Sequence, residues 1–221
     1  PRSFMSGLGK IVRNTSVYGI GLLLTRAIGL FLLPIYTRLL TPADYGILEL
    51  LDLMTFVLGL VIMSGLQGAV LKYYYAETDP KERREYISTA FEYVSLTGLF
   101  VLGIVFLAAR PIGALLFHQP GFENFVRITA GTLFCSLIFE LALIYTRTKQ
   151  DAVTATRWTV IKLLISVTFG IILIVGFRYG VWGLLWANLI ATGVFAAYAG
   201  YRVIAEVGTR FSFSKLKLLL A

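Results

Sequence analysis

Six apolar runs, each long enough to cross a bilayer and separated by charged or turn-forming connectors, leave few folds open to this chain. They cover about residues 15–37, 44–71, 86–109, 125–146, 158–177 and 181–203. In hydrocarbon a backbone must satisfy its own hydrogen bonds, so runs of this length are helices; barrel strands would be ~10 residues with strict alternation. The chain is 57% hydrophobic and 14% charged, where a soluble domain would carry about 25% charge. The expected fold class is therefore an all-α polytopic membrane protein with six transmembrane helices.

The positions of the charges account for the net charge of +8. One set of connectors carries Arg2, Lys10, Arg13, Lys72, Lys81, Arg83, Arg84, Arg147, Lys149, Arg157, Arg202, Arg210, Lys215 and Lys217. The opposite set has only Arg38, Arg110, Arg127 and Arg178. Alternation at every connector supports the count of six, and the positive-inside rule places both ends in the cytoplasm. Contact with anionic lipid then absorbs the basic balance, and nucleic acid is not an expected partner. One cysteine, Cys135, and one histidine, His118, exclude a disulfide framework, a Cys/His zinc site and a Cys–His nucleophile pair. No cofactor, metal cluster or catalytic constellation is expected, so the chain does not read as an enzyme.

Two connectors carry helix-start signals. Thr41-Pro42-Ala43-Asp44 reads as an N-cap, a proline at the first helical position and an acid at the third. Asp79-Pro80-Lys81-Glu82 repeats that logic. Phe177–Val181 is a very short turn, and residues 211–221 start basic and turn apolar, like the lead-in to a seventh helix. Residues 1–210 are accordingly expected to form one six-helix unit, in a chain that is truncated.

Charges inside the runs are the candidate functional groups. Arg26 lies 13 residues after Arg13 and 12 before Arg38, so it sits ~18–20 Å along a helix from each. That is near the middle of a ~30 Å hydrocarbon core, too deep to snorkel. It belongs to a stripe of Thr15, Gly19, Leu22, Arg26, Gly29, Leu33 and Tyr36/Thr37, which reads either as a helix-packing face or as a face toward an anionic ligand. The fourth run has its own stripe, Thr129, Thr132, Ser136, Glu140, Leu143 and Arg147. Glu140 and Lys162 fall at one depth on neighbouring helices and are expected either to pair or to leave the lysine at a cavity mouth, with Glu92 as an alternative partner. Glu49 and Asp52, three apart on one face of the second run, are either partners for Arg38 or Arg127 or a coupling pair. Phe56, Gly59, Met63 and Gln67 continue that face.

Several stretches resemble the polysaccharide-biosynthesis membrane proteins of the O-antigen flippase type, within the multidrug/oligosaccharidyl-lipid/polysaccharide exporter superfamily. They are Arg13–Gly19, Thr25-Arg26, Pro34–Gly46 with its Leu-Thr-Pro-Ala-Asp-Tyr-Gly turn, Gly65–Val70 and Lys72–Tyr75. The resemblance covers the chain as an N-terminal half. It implies one lobe of a two-lobed exporter that alternates access across a bacterial or archaeal inner membrane. The implied substrate is a polyprenyl-diphosphate-linked oligosaccharide for cell-surface polysaccharide, with lipopolysaccharide as one destination. Arg26 with Lys162, Tyr36 and Thr15 would meet it, and Glu49, Asp52, Glu92 and Glu140 would pair or couple. Implied partners are the bilayer, a C-terminal lobe, and a polysaccharide polymerase or glycosyltransferases. The alternatives are a cation-coupled multidrug antiporter of the same superfamily and a non-transporting envelope-assembly scaffold.

Overall fold

The computed structural model describes residues 2–63 and 65–220, with side chains described at 16, 17, 19–63 and 65–220. The helices are α1 (Arg2–Leu39), α2 (Pro42–Met63), α3 (Leu66–Ala76), α4 (Pro80–Leu107), α5 (Ala109–Phe117), α6 (Glu123–Thr148), α7 (Ala152–Ile171), α8 (Val181–Val207) and α9 (Phe213–Leu219). A π-helical turn, Ile172–Gly176, continues α7. Among the described residues, six segments are long and apolar enough to cross a membrane: Gly19–Leu39, Pro42–Ala76, Pro80–Leu107, Glu123–Thr148, Ala152–Gly176 and Val181–Val207. The protein is an all-α polytopic membrane protein.

Local chemistry explains where three of the helices begin. Thr41 and Asp44 cap α2 reciprocally: the Thr41 backbone N–H donates to Asp44 Oδ2 at 2.8 Å and the Asp44 N–H donates to Thr41 Oγ1 at 3.2 Å. Asp79 accepts from the Lys81 N–H at 2.9 Å, with Pro80 at the first position of α4. Asp151 accepts from the Thr154 N–H at 3.1 Å at the start of α7. These caps lie outside the apolar runs, which is why α4 and α7 start earlier than their hydrophobic stretches.

Two features depart from the sequence reading. The second span is not one helix: Gly65 has φ +73° and separates α2 from α3. A residue with a Cβ rarely takes that conformation, so the break is written in the glycine. The connector after the third span, read as a loop, contains α5. Gly113 of α5 lets it lie against the backbone at Phe122 and Glu123, and Phe117 stacks on Phe122 with ring centroids 4.5 Å apart.

The long helix α6 is the centre of the bundle, with the largest buried share of the six spans, ahead of α8. It packs on α8, α4, α5 and α2, while α7 packs on α8 and α1 on α7. Gly200 of α8 permits a close approach to α6: a Cβ there would stand 3.2 Å from Ile138 Cγ2. Two apolar clusters fill the interior. The larger contains Leu66, Ile87, Phe91, Leu137, Ile144, Phe195 and Val203. The smaller, toward the face with few cations, holds Leu51, Val105, Val126, Ala130 and Val181. The short α9 docks on α4 and α3. Its Lys215 is buried and bonds both Glu82 and Glu85.

Candidate functional site

A polar stripe runs down α6 at helical spacing: Leu133, Ser136, Glu140, Leu143, Arg147. It faces two adjoining cavities. The larger, about 700 Å³, lies against α2 and α3, and is lined by Thr55, Phe56, Gly59, Met63 and Gln67 opposite Ser136 and Glu140. The smaller, about 240 Å³, lies against α1 and α7, and is lined by Gly21, Leu22 and Thr25, by Thr156 and Thr159, and by Leu143 and Arg147. Glu140 and Arg147 form an ion pair at 3.6 Å across the junction. The two cavities thus share α6 as a common wall and are linked by this ion pair, with α1 and α7 bordering one and α2 with α3 the other; together they are the candidate cleft. The stripes of the second and fourth runs converge on it.

Why the α1 wall sits as it does is visible at Gly21. A Cβ there would lie 2.5 Å from Thr156 Cγ2, so only glycine lets α1 approach α7 this closely. The seam continues at helical spacing through Thr25, Ile28, Leu32 and Tyr36. Leu32 is buried, and the Tyr36 hydroxyl stands 3.3 Å from where a Cβ on Gly170 would be. Gly19 and Gly29, in contrast, have open space where a side chain would go. Of the stripe read from the sequence, Tyr36 lies on the packing face of α1, and Gly19 and Gly29 do not. The packing edge, marked by Gly21 rather than Gly19, is not distinguishable without knowing which neighbour α1 meets.

Arg26 is exposed on the surface of the bundle, and has no ion pair or hydrogen bond among the described residues. It stands four residues after Leu22, one turn farther along the edge that lines the smaller cavity. Tyr36 is half-buried on the α7 seam, away from that edge. Thr15 lies in α1, but its side chain is outside the described residues.

Lys162, on α7, is half-buried with its ammonium 4.9 Å from the Phe139 ring centroid. It makes no ion pair with Glu140, whose carboxylate is taken by Arg147 one heptad along the same helix; the Glu140 charge nevertheless acts on it. Glu92 is not a partner for Lys162. It lines a separate cavity of about 280 Å³ with Ser88, Ser95 and Val203. That cavity opens between α4 and α8, and none of its lining residues lies on α6. Glu49 and Asp52 are exposed on α2 and close enough for the Glu49 charge to act on Asp52. Neither reaches Arg38 or Arg127. The Arg127 guanidinium donates to Asn124 Oδ1 at 2.9 Å and lies 5.2 Å from the Phe106 ring.

The arrangement suits an anionic guest better than a cationic one. Arg147 lines the cleft with one carboxylate, Glu140; Lys162 stands three residues beyond the lining Thr159 on α7 and Arg26 four beyond the lining Leu22 on α1, and neither is itself a lining residue. Guanidinium groups bind phosphate oxygens in pairs, with geometry a lysine lacks.

Comparisons with known proteins agree with this architecture. A family model described as polysaccharide biosynthesis protein matches residues 35–221. No curated protein matches the chain. A solved structure, the outward-facing conformation of a multidrug resistance MATE family transporter of the MOP superfamily, superposes with a TM-score of 0.72 at 17% identity. The alignment covers 96% of this chain and 50% of the transporter, so the chain spans about half that protein's length. Matched over most of its residues and folded as six membrane-crossing segments around a polar cleft, the chain belongs to the polysaccharide biosynthesis protein family.

Proposed function

We propose that this chain is one lobe of a membrane transporter that moves a polyprenyl-diphosphate-linked oligosaccharide to the outer leaflet by alternating access. The observation that carries the proposal is Arg26. It is a permanent cation inside the first membrane-crossing segment, one turn beyond Leu22 of the smaller cavity, exposed and with no internal partner among the described residues. A charge at that depth is costly unless it meets water, a counter-ion or a ligand. The diphosphate headgroup is the counter-ion in this reading, and Arg147 and Lys162 extend the site toward the face rich in cations, taken as cytoplasmic. Family membership supports the sugar-polymer side of the proposal, and the fold likeness supports the transport side. In this reading the headgroup takes Arg147 from its ion pair with Glu140.

The fold is shared with a multidrug transporter, and Glu49 and Asp52 offer carboxylates on the α2 face. Coupled drug efflux is therefore the second reading. Reconstitution of the full-length protein in liposomes separates the two. Transfer of a polyprenyl-diphosphate-linked oligosaccharide between leaflets, without efflux of cationic dyes, is the expected result. Dye efflux driven by a proton or sodium gradient, with no lipid transfer, contradicts it.

A further inference from the structure

The outer side of the α7–α8 hairpin carries a second polar site, separate from the cleft. A cavity of about 500 Å³ lies between the two helices, with Arg157 of α7 and Arg202 of α8 among its lining residues. The helices are antiparallel, and both arginines lie at the ends that meet the cation-rich face. Below them the walls become apolar. Ile161 lies about 6 Å deeper than Arg157 along α7, and Val194 about 12 Å deeper than Arg202 along α8. Trp158 and Tyr198 meet edge to face at 5.9 Å within this trough. No carboxylate lines it. Arg157 feels one nearby acid, Asp151, which is already engaged in capping α7. Arg202 has no ion pair or hydrogen bond among the described residues, and both arginines are exposed. The other edge of α7, through Thr156 and Thr159, lines the cleft, so α7 itself divides the two sites.

We infer that this trough binds an anionic glycerophospholipid of the surrounding leaflet, its phosphate between Arg157 and Arg202 and an acyl chain along Ile161 and Val194. Charge complementarity selects the headgroup, because basic pockets between helices at an anionic membrane surface recruit such lipids. The apolar floor selects a lipid over a free phosphate. Aromatic side chains at the level of the headgroups complete the fit. The inference is independent of what the cleft transports.

Native mass spectrometry of the detergent-solubilised full-length protein tests it, with phosphatidylglycerol and phosphatidylcholine as probes. Phosphatidylglycerol is expected to bind in preference to phosphatidylcholine. Each arginine contributes about fivefold, so Arg157→Gln with Arg202→Gln is expected to weaken binding roughly twenty-five-fold. Val194→Trp, which fills the trough without changing charge, is expected to weaken it as well, and soluble glycerol phosphate is not expected to compete. Melting temperatures in phosphatidylcholine, unchanged across the variants, establish that they fold. Equal retention of phosphatidylglycerol by wild type and the double variant overturns the inference. Competition by glycerol phosphate at lipid-like concentrations also overturns it, since the site then reads phosphate alone.

Discussion

Replacing Gly21 by alanine tests how α1 is seated, and with it the side of the helix that Arg26 occupies. The added Cβ would stand 2.5 Å from Thr156 Cγ2, against 3.5 Å from Thr156 Oγ1 and 3.6 Å from its Cβ. Carbon pairs rest at about 3.5–4.0 Å, so one methyl group carries the whole conflict, with an overlap of about 1 Å. Overpacking of this kind costs about 1–3 kcal/mol. Alanine also favours a helix over glycine by about 1 kcal/mol. The two effects separate in a double-mutant cycle with Thr156→Ser, which removes Cγ2 and keeps the hydroxyl. In the wild-type background Gly21→Ala is expected to be neutral to destabilising by about 2 kcal/mol. In the Thr156→Ser background it is expected to stabilise by about 1 kcal/mol. The coupling of about 1–3 kcal/mol is read from unfolding of the full-length protein in mixed micelles. An identical effect of Gly21→Ala in both backgrounds would refute the α1–α7 seam, and with it the orientation assigned to Arg26.

Three further outcomes follow from the same geometry. Glu140→Gln frees Arg147 and is expected to raise affinity for farnesyl diphosphate up to about fivefold, as for a half-exposed ion pair of at most ~1 kcal/mol; isothermal titration of the full-length protein reads it, and weaker binding would show that Glu140 contacts the ligand instead. Thr41→Ala removes the reciprocal cap of α2 and is expected to cost about 0.5–2 kcal/mol in the same unfolding assay, with no change if the helix start is held by packing alone. Burial acts to lower the Lys215 pKa, but its bonds to Glu82 and Glu85 outweigh it and hold the value above the ordinary lysine range. A raised pKa stabilises fully below the unfolded value and is lost only as pH rises through the folded one. Docking of α9 is therefore expected to be constant from pH 6 to 9, about the range below an ordinary lysine, as read by protease cleavage at Arg210. Lys215→Met is expected to release α9 throughout that range.

The parts of the fold that depend on one segment at a time were legible in the sequence. Six spans follow from run length, and Thr41, Asp44 and Asp79 announce their caps because capping bonds form within four residues. Helical spacing likewise grouped Ser136, Glu140 and Arg147, and separately Phe56, Gly59 and Met63. Spacing says which residues share a face, but not what that face meets. Arg147 rather than Lys162 holds Glu140, because the heptad partner on the same helix lies within reach. Gly19 and Gly21 are equally small, and only the position of Thr156 on α7 makes Gly21 the seam. The amphipathic α5 was hidden in a connector too short to read as a span. Arg157 and Arg202, 45 residues apart in sequence, come together only through the antiparallel hairpin.

The central claim is that Arg26 stands in a water-accessible cleft and meets a diphosphate there. Its most direct test is Arg26→Cys in a cysteine-free full-length background, with Cys135→Ser, probed by a membrane-impermeant cationic thiol reagent. Modification at a rate similar to an exposed loop cysteine, slowed by saturating farnesyl diphosphate, is the predicted result. Modification only by lipid-soluble maleimides, with no protection by the diphosphate, would place position 26 against the bilayer and contradict the account.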